Sequence, residues 1–172
     1  MSRYTNPYEQ EFSEYQQRRR QFWDGVNGRF NRSWGAYYQM KLAHIYQNLV
    51  PSDCSVLELG CREGALLAAL KPSRGVGVDF SEPALVTARK HYPHLQFLCT
   101  DTHQLDLGDQ VFDYIVISDL VNDLWDVQTM LERIRPHCHA KTRIILNFFS
   151  HAWSLPLRAA RALGLATPNL PQ

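Results

Sequence analysis

The stretch Val56-Leu57-Glu58-Leu59-Gly60-Cys61-Arg62-Glu63-Gly64-Ala65-Leu66-Leu67, read with Val76-Gly77-Val78-Asp79-Phe80-Ser81 downstream, decides the fold. An apolar run turns at a glycine and opens a helical pattern, and an acid closes the next apolar run. That is the order of a strand–helix–strand nucleotide-type pocket. Gly60 falls where the strand turns sharply, because a residue without Cβ takes positive φ and lets a ligand approach the backbone. Gly64 falls where the following helix must pack closely on its strand. Asp79 comes about 20 residues after the first glycine, the offset at which a carboxylate ending the second strand accepts both ribose hydroxyls.

Two features separate this pattern from a dinucleotide site. A pyrophosphate needs the full G-x-G-x-x-G, whereas Gly60 is followed by Cys61-Arg62-Glu63-Gly64. Glu58, before the first glycine, repels a phosphate but suits a ligand carrying ammonium and sulfonium groups. At these residues the chain resembles the class I S-adenosylmethionine-dependent methyltransferases, whose first motif reads E-x-G-x-G-x-G. Arg62 stands at that motif's middle glycine. Beside the methionine moiety it either grips the ligand's carboxylate or narrows the pocket, and Tyr38 is a second candidate carboxylate partner. An NAD-dependent oxidoreductase is the rival on the same fold; it needs glycine where Arg62 stands and leaves Glu58 unexplained. A purely structural domain explains neither Asp79 nor Asp101.

With 172 residues, 45% of them hydrophobic, the chain suits one globular domain with a sizeable core. A formal net charge of +1 gives no sign of a nucleic-acid-binding tail. Cys54, Cys61, Cys99 and Cys138 form no C-x-x-C pair and read as reduced thiols, which points to a cytoplasmic protein. No signal peptide and no apolar run of membrane-spanning length is visible.

Residues 1–50 read as an N-terminal helical cap. A stripe at helical spacing takes in Tyr8, Phe12, Tyr15, Arg19 and Phe22-Trp23, broken by Gly25 and Gly28, and a second helix is expected over 33–49. Arg18-Arg19-Arg20 reads as a solvated face. His44, on a half-apolar helix, reads as structural, although it stays among the candidate bases. Residues 51–150 form the core, with strands expected at 55–59, 75–80, 95–99, 111–120 and 142–149 and helices at 64–70, 81–91 and 126–135. Residues 151–172 hold a basic amphipathic helix around 157–163 and a linker from 167.

The resemblance implies a Rossmann-like α/β three-layer sandwich with a mostly parallel sheet in the order 3-2-1-4-5. The family's seven-stranded sheet has two further strands, and their lack here, with a proline-rich end, is expected of a fragment. It implies S-adenosyl-L-methionine as cofactor and S-adenosyl-L-homocysteine as product. Glu58, Gly60, Cys61, Arg62 and Gly64 then shape the methionine and ribose end, Asp79 holds the ribose hydroxyls, Phe80 stacks on adenine, and Asp101 with Thr102 receives the adenine amino group. Asp119 and Leu120, at the tip of the fourth strand, line the reaction site. Asp119, Asp123 or His44 serves as general base, with no choice among them from sequence.

Asp119 and Asp123 form a D-x-x-x-D too poor in oxygen ligands for magnesium, and adjacent residues in His137-Cys138-His139 cannot easily converge on zinc, so this segment reads as a loop and no metal is expected. The acceptor is expected to be a small molecule or lipid-like rather than nucleic acid. The exposed edge of the fifth strand makes a homodimer plausible. A non-catalytic S-adenosylmethionine- or S-adenosylhomocysteine-binding module of the same fold is the alternative function.

Overall fold

The structure is a computed structural model that describes residues 7–26 and 34–148, with Ala159. The linker expected from 167, and all of the 157–163 helix except Ala159, lie outside the described residues. Two helices, α1 (Pro7–Val26) and α2 (Trp34–Leu49), precede the core. The core runs β1 (Ser55–Leu59), α3 (Ala65–Ala69), β2 (Arg74–Asp79), α4 (Glu82–His91), β3 (Gln96–Cys99), β4 (Phe112–Ile117), α5 (Val127–Ile134) and β5 (Cys138–Leu146).

All five strands are parallel, in the order β3-β2-β1-β4-β5. This is the Rossmann-like sheet that the resemblance implies. The central strands are buried on both faces, which is why they read as continuous apolar runs. Val56 faces a cluster with Tyr46, Leu67, Leu85 and Phe97, so α2, α3 and α4 cover that side. Leu57 and Leu59 face the other, with Ile115, Met130 and Ile134 of α5. At the foot of the sheet, Ser55 donates its N–H and its hydroxyl to Asp113 Oδ2 at 2.8 and 2.6 Å, which fixes the start of β1 beside β4.

Local chemistry sets the helix ends. Pro83 and Glu82 open α4, while Arg89, Lys90 and His91 lie in its last turn, matching the helix dipole at both ends. Asp126 caps α5 by accepting the Thr129 N–H at 3.1 Å. Three expectations need correction. Gly25 does not break the first helix, which continues to Val26, because a single glycine costs only about 1 kcal/mol against a packed face. Of the expected His-Cys-His loop, Cys138 and His139 belong to β5. That strand begins opposite Phe112 and bulges before Arg143 pairs with Tyr114. The basic triplet near residue 19 is not a uniformly solvated face: Arg18 and Arg20 are exposed, whereas Arg19 is 2% exposed.

Candidate cofactor and active site

The site forms at the carboxyl ends of β1, β2 and β4, where the strand order reverses between β1 and β4 and an open sheet leaves a crevice. The turn after β1 carries three left-handed residues: Gly60 at φ 74°, Arg62 at φ 51° and Gly64 at φ 76°. The Gly60 and Cys61 N–H groups donate to the Val78 carbonyl at 2.8 and 3.1 Å, tying the turn to β2. A Cβ on Gly64 would lie 2.7 Å from Phe97 of β3, so glycine here permits close packing as well as positive φ. The close neighbours are Phe97 and Ala88 of α4 rather than the helix's own strand. Arg62 adopts a left-handed conformation that glycine takes without strain, at a backbone cost of about 1–2 kcal/mol.

That conformation aims the Arg62 N–H at Asp79. It donates to Oδ2 at 2.9 Å, and the Ser81 N–H donates to Oδ1 at 2.9 Å. Each carboxylate oxygen is thus held by a main-chain donor, which fixes the side chain without a flexible partner. Asp79 is 5% exposed; burial pushes its pKa up, against the pull of the Ser81 and Arg62 N–H bonds and of the Arg19 and Arg62 charges. Glu58 is 2% exposed on the α3 side of β1. Its Oε2 has no hydrogen-bond partner among the described residues, and burial raises its pKa to about 8, opposed by a backbone hydrogen bond from Leu67 in the first turns of α3. Cys61 is buried in the core beside it, its thiol pushed up by that burial.

At the tip of β4, Asp119 takes φ 55°. Tyr38 donates its hydroxyl to both carboxylate oxygens at 2.9 Å, the Asn147 amide donates to Oδ1, and the Asp119 N–H donates back to Asn147 Oδ1 at 3.2 Å. Tyr46 completes the cluster by donating to Asn147 Oδ1 at 2.7 Å. Burial pushes both Tyr38 and Tyr46 up, Tyr46 to about 12, so both are hydroxyl donors at neutral pH. Leu120 lies against Gly60, whose added Cβ would come within 3.2 Å of it. Asp123 is partly buried, which raises its pKa, while Arg19 and Trp23 pull it down.

The β3 side is filled by α1. Asp101 accepts the His103 N–H at 2.9 Å and meets His103 Nδ1 at 2.6 Å, both through Oδ1. Its Oδ2 accepts from Gln16 Nε2 at 3.1 Å and faces Arg19 Nη1 at 3.9 Å. Burial alone would raise Asp101, but His103 and Arg19 hold it down to about 2. His103 Nε2 accepts the Asp126 N–H, so the neutral ring carries its proton on Nδ1, facing Asp101. Phe80 has the Arg19 guanidinium 4.4 Å above its ring. Thr102 is buried, and its hydroxyl has no partner among the described residues.

Glu58, Gly60, Cys61, Arg62, Gly64, Asp79, Asp119 and Leu120 therefore converge around the turn and the tip of β4, with Phe80, Asp101 and Thr102 on the β3 side and Asp123 beyond. Tyr38 contacts Asp119 instead of standing free for a ligand's carboxylate. His44 is exposed: Tyr38, Leu42 and Tyr46 share the inward face of α2, and a residue two positions from Leu42 lies on the opposite one. It is not brought to the site. Gln16, Arg19, Tyr46, His103 and Asn147 were missed by sequence reasoning; for Arg19 the signal existed, since it falls in register with Phe12 and Tyr15. Among the described residues, no group of three or more His, Cys, Asp and Glu could hold a metal ion, and no helix is long and apolar enough to cross a membrane.

Residues 56–141, half of the chain, match a family described as a methyltransferase domain. A comparison with curated proteins gave no match. Among solved structures, the plantazolicin methyltransferase BpumL, in complex with S-adenosylhomocysteine, is similar at TM-score 0.70 and 18% identity over 88% of this chain and 66% of that one. YcgJ from Bacillus subtilis is similar at TM-score 0.56 and 17% identity, over 60% of this chain and 48% of that one. The N-methyltransferase NodS from Bradyrhizobium japonicum, in complex with S-adenosylhomocysteine, is similar at TM-score 0.59 and 21% identity, over 77% and 71%. At these identities the likeness shows the fold, and this chain spans less than two thirds of the length of the first two. The glycine turn, the acid ending β2 and the matched family agree: the chain belongs to the class I S-adenosylmethionine-dependent methyltransferases.

Proposed function

We propose that this chain binds S-adenosylmethionine and serves as the cofactor-holding part of a methyltransferase acting on a small-molecule or lipid-like acceptor. The observation that carries the reading is Asp79, which ends β2 beside the Gly60 turn with each of its two oxygens fixed by a backbone N–H. Such a carboxylate is prepared for a ribose diol and needs no rearrangement on binding. Glu58 fits the same ligand: a buried acid with an unpartnered oxygen is matched by a cation. When bound, S-adenosylmethionine supplies the electrophilic methyl group. The chain's own part is then positioning, exclusion of water and acceptance of a proton.

Of the candidate bases, Asp119 and Asp123 both have pKa values raised by burial, the direction that favours proton uptake near neutral pH. The aromatic group that Tyr8, Phe12 and Tyr15 of α1 form with Trp125, two residues after Asp123, suits an apolar acceptor. A non-catalytic binding module is the second reading. One observation favours it: the Asp119 carboxylate is already engaged by Tyr38 and Asn147, a structural duty. Calorimetry with S-adenosylmethionine, S-adenosylhomocysteine and NAD tests the main reading. Binding of the first two but not NAD, lost in Asp79→Ala, supports it, and NAD binding or no binding by folded protein overturns it. Methyl transfer to an acceptor panel by the wild type would then exclude the binding-module reading.

A further inference from the structure

We infer that Arg19 is a built-in occupant of the adenine end of the cofactor site, which the cofactor's adenosine must displace. The inference rests on the proposed cofactor reading. The two groups that would recognise adenine are the Phe80 ring and the Asp101 carboxylate. One side chain engages both: the Arg19 guanidinium lies 4.4 Å from the Phe80 centroid and 3.9 Å from Asp101 Oδ2. A planar cation stacked on an aromatic face mimics the flat, donor-bearing edge of a purine. An adenine ring cannot insert at this spacing, because two stacked contacts require about 7 Å between guanidinium and phenyl ring.

The buried guanidinium is poorly satisfied where it sits. Arg19 is 2% exposed, yet its Nε and Nη1 have no hydrogen-bond acceptor among the described residues. A structural arginine at this depth is ordinarily forked onto a carboxylate. Leaving Phe80 for water therefore gives up a stack and one long ion pair but recovers hydration. The rest of α1 is held on the β3 side by Gln16 to Asp101 Oδ2 and Phe12 edge-on to His103 at 5.3 Å, and beyond β4 by Tyr15 to the Asp123 carbonyl. Arg19 also supplies positive charge to Asp79, Asp101 and Asp123 together. A cofactor bearing a sulfonium and an ammonium group can replace that charge when the arginine leaves.

The test is the sign of one substitution. Arg19→Ala is expected to tighten binding of S-adenosylhomocysteine and of adenosine roughly tenfold, the factor removed when about a tenth of the wild-type molecules have the subsite free. Adenosine carries no charge, so its tightening separates displacement at the adenine end from a change in electrostatic attraction. Weaker or unchanged binding of both overturns the inference, since Arg19 would then be part of the cofactor's own site or a bystander. If folded wild type and variant bind neither S-adenosylmethionine nor S-adenosylhomocysteine, the cofactor reading falls and this inference with it. Should Arg19→Ala fail to fold, Gln16→Ala, which releases α1 from Asp101 while keeping the arginine, is expected to tighten both ligands by about threefold. In the wild type, saturating S-adenosylhomocysteine is expected to speed hydrogen exchange of the amides around residues 16–19; slower exchange overturns the inference.

Discussion

The two sides of the cleft are held by different means. On the β1–β2 side, geometry is set by main chain: left-handed residues 60, 62 and 64 and two N–H groups clamped on Asp79. On the β3 side it is set by side chains of a helix some 80 residues away in sequence, with Gln16 and Arg19 laid on Asp101 and Phe80. Backbone donors lose little entropy when a ligand binds, whereas a side chain lying in a subsite must first be moved. On the proposed reading, the first side is ready for a ligand and the second is guarded.

The contrast is sharpest at Glu58. Its pKa in the folded chain is raised from 4.5 to about 8, so the folded state holds a proton that the unfolded state has released. Its contribution is fully present below the unfolded value and is lost as pH rises through the folded one. Stability is expected to fall by up to about 1.4 kcal/mol per pH unit across that window. Glu58→Gln is expected to flatten this fall in denaturant titrations repeated at several pH values; an unchanged slope would place the proton elsewhere. Cofactor binding near neutral pH should also release that proton, measurable as a buffer-dependent binding enthalpy.

Asp79→Ala comes next. It removes the acceptor of two main-chain donors and of the expected ribose diol, and is predicted to cost about 3 kcal/mol of binding, over a hundredfold in Kd by calorimetry. A loss equal to that of an exposed carboxylate, such as Asp106→Ala, would undo the assigned role of the clamped side.

Gly64→Ala is expected to lower stability by about 2–3 kcal/mol, through positive φ and the Cβ contact with Phe97. Phe97→Leu in the same chain should recover part of this in thermal melts, because only the contact, not the strain at φ, is relieved. Tyr38→Phe is the mildest, about 1 kcal/mol, since Asn147 still serves Asp119. A loss twice as large would mean that the tyrosine hydroxyl alone supports the strained turn at Asp119.

Much of the core was legible because its signals are local. Glycine at 60 and 64, Ser81 and Pro83 at a helix start, and apolar runs buried on both faces each state their own conformation. Two kinds of feature were not. The start of β5 at Cys138 depends on pairing with Phe112, which neither strand's residues announce. The contact from Tyr38 and Asn147 to Asp119 joins α2 to the residues just after β4 and β5, so no spacing within any one segment encodes it.

The succession of strands and helices, the glycine turn and the acid ending β2 follow from local residues, because each rests on backbone preference and burial period over a few neighbouring positions. Packing alone selects which of Arg18, Arg19 and Arg20 is buried and what it covers. That depends on how α1 docks across the ends of strands formed much later in the chain, and three adjacent arginines have the same local propensity. It also decided the state of Glu58, since its proton is governed by the loss of water around the finished sheet and not by its neighbours in sequence.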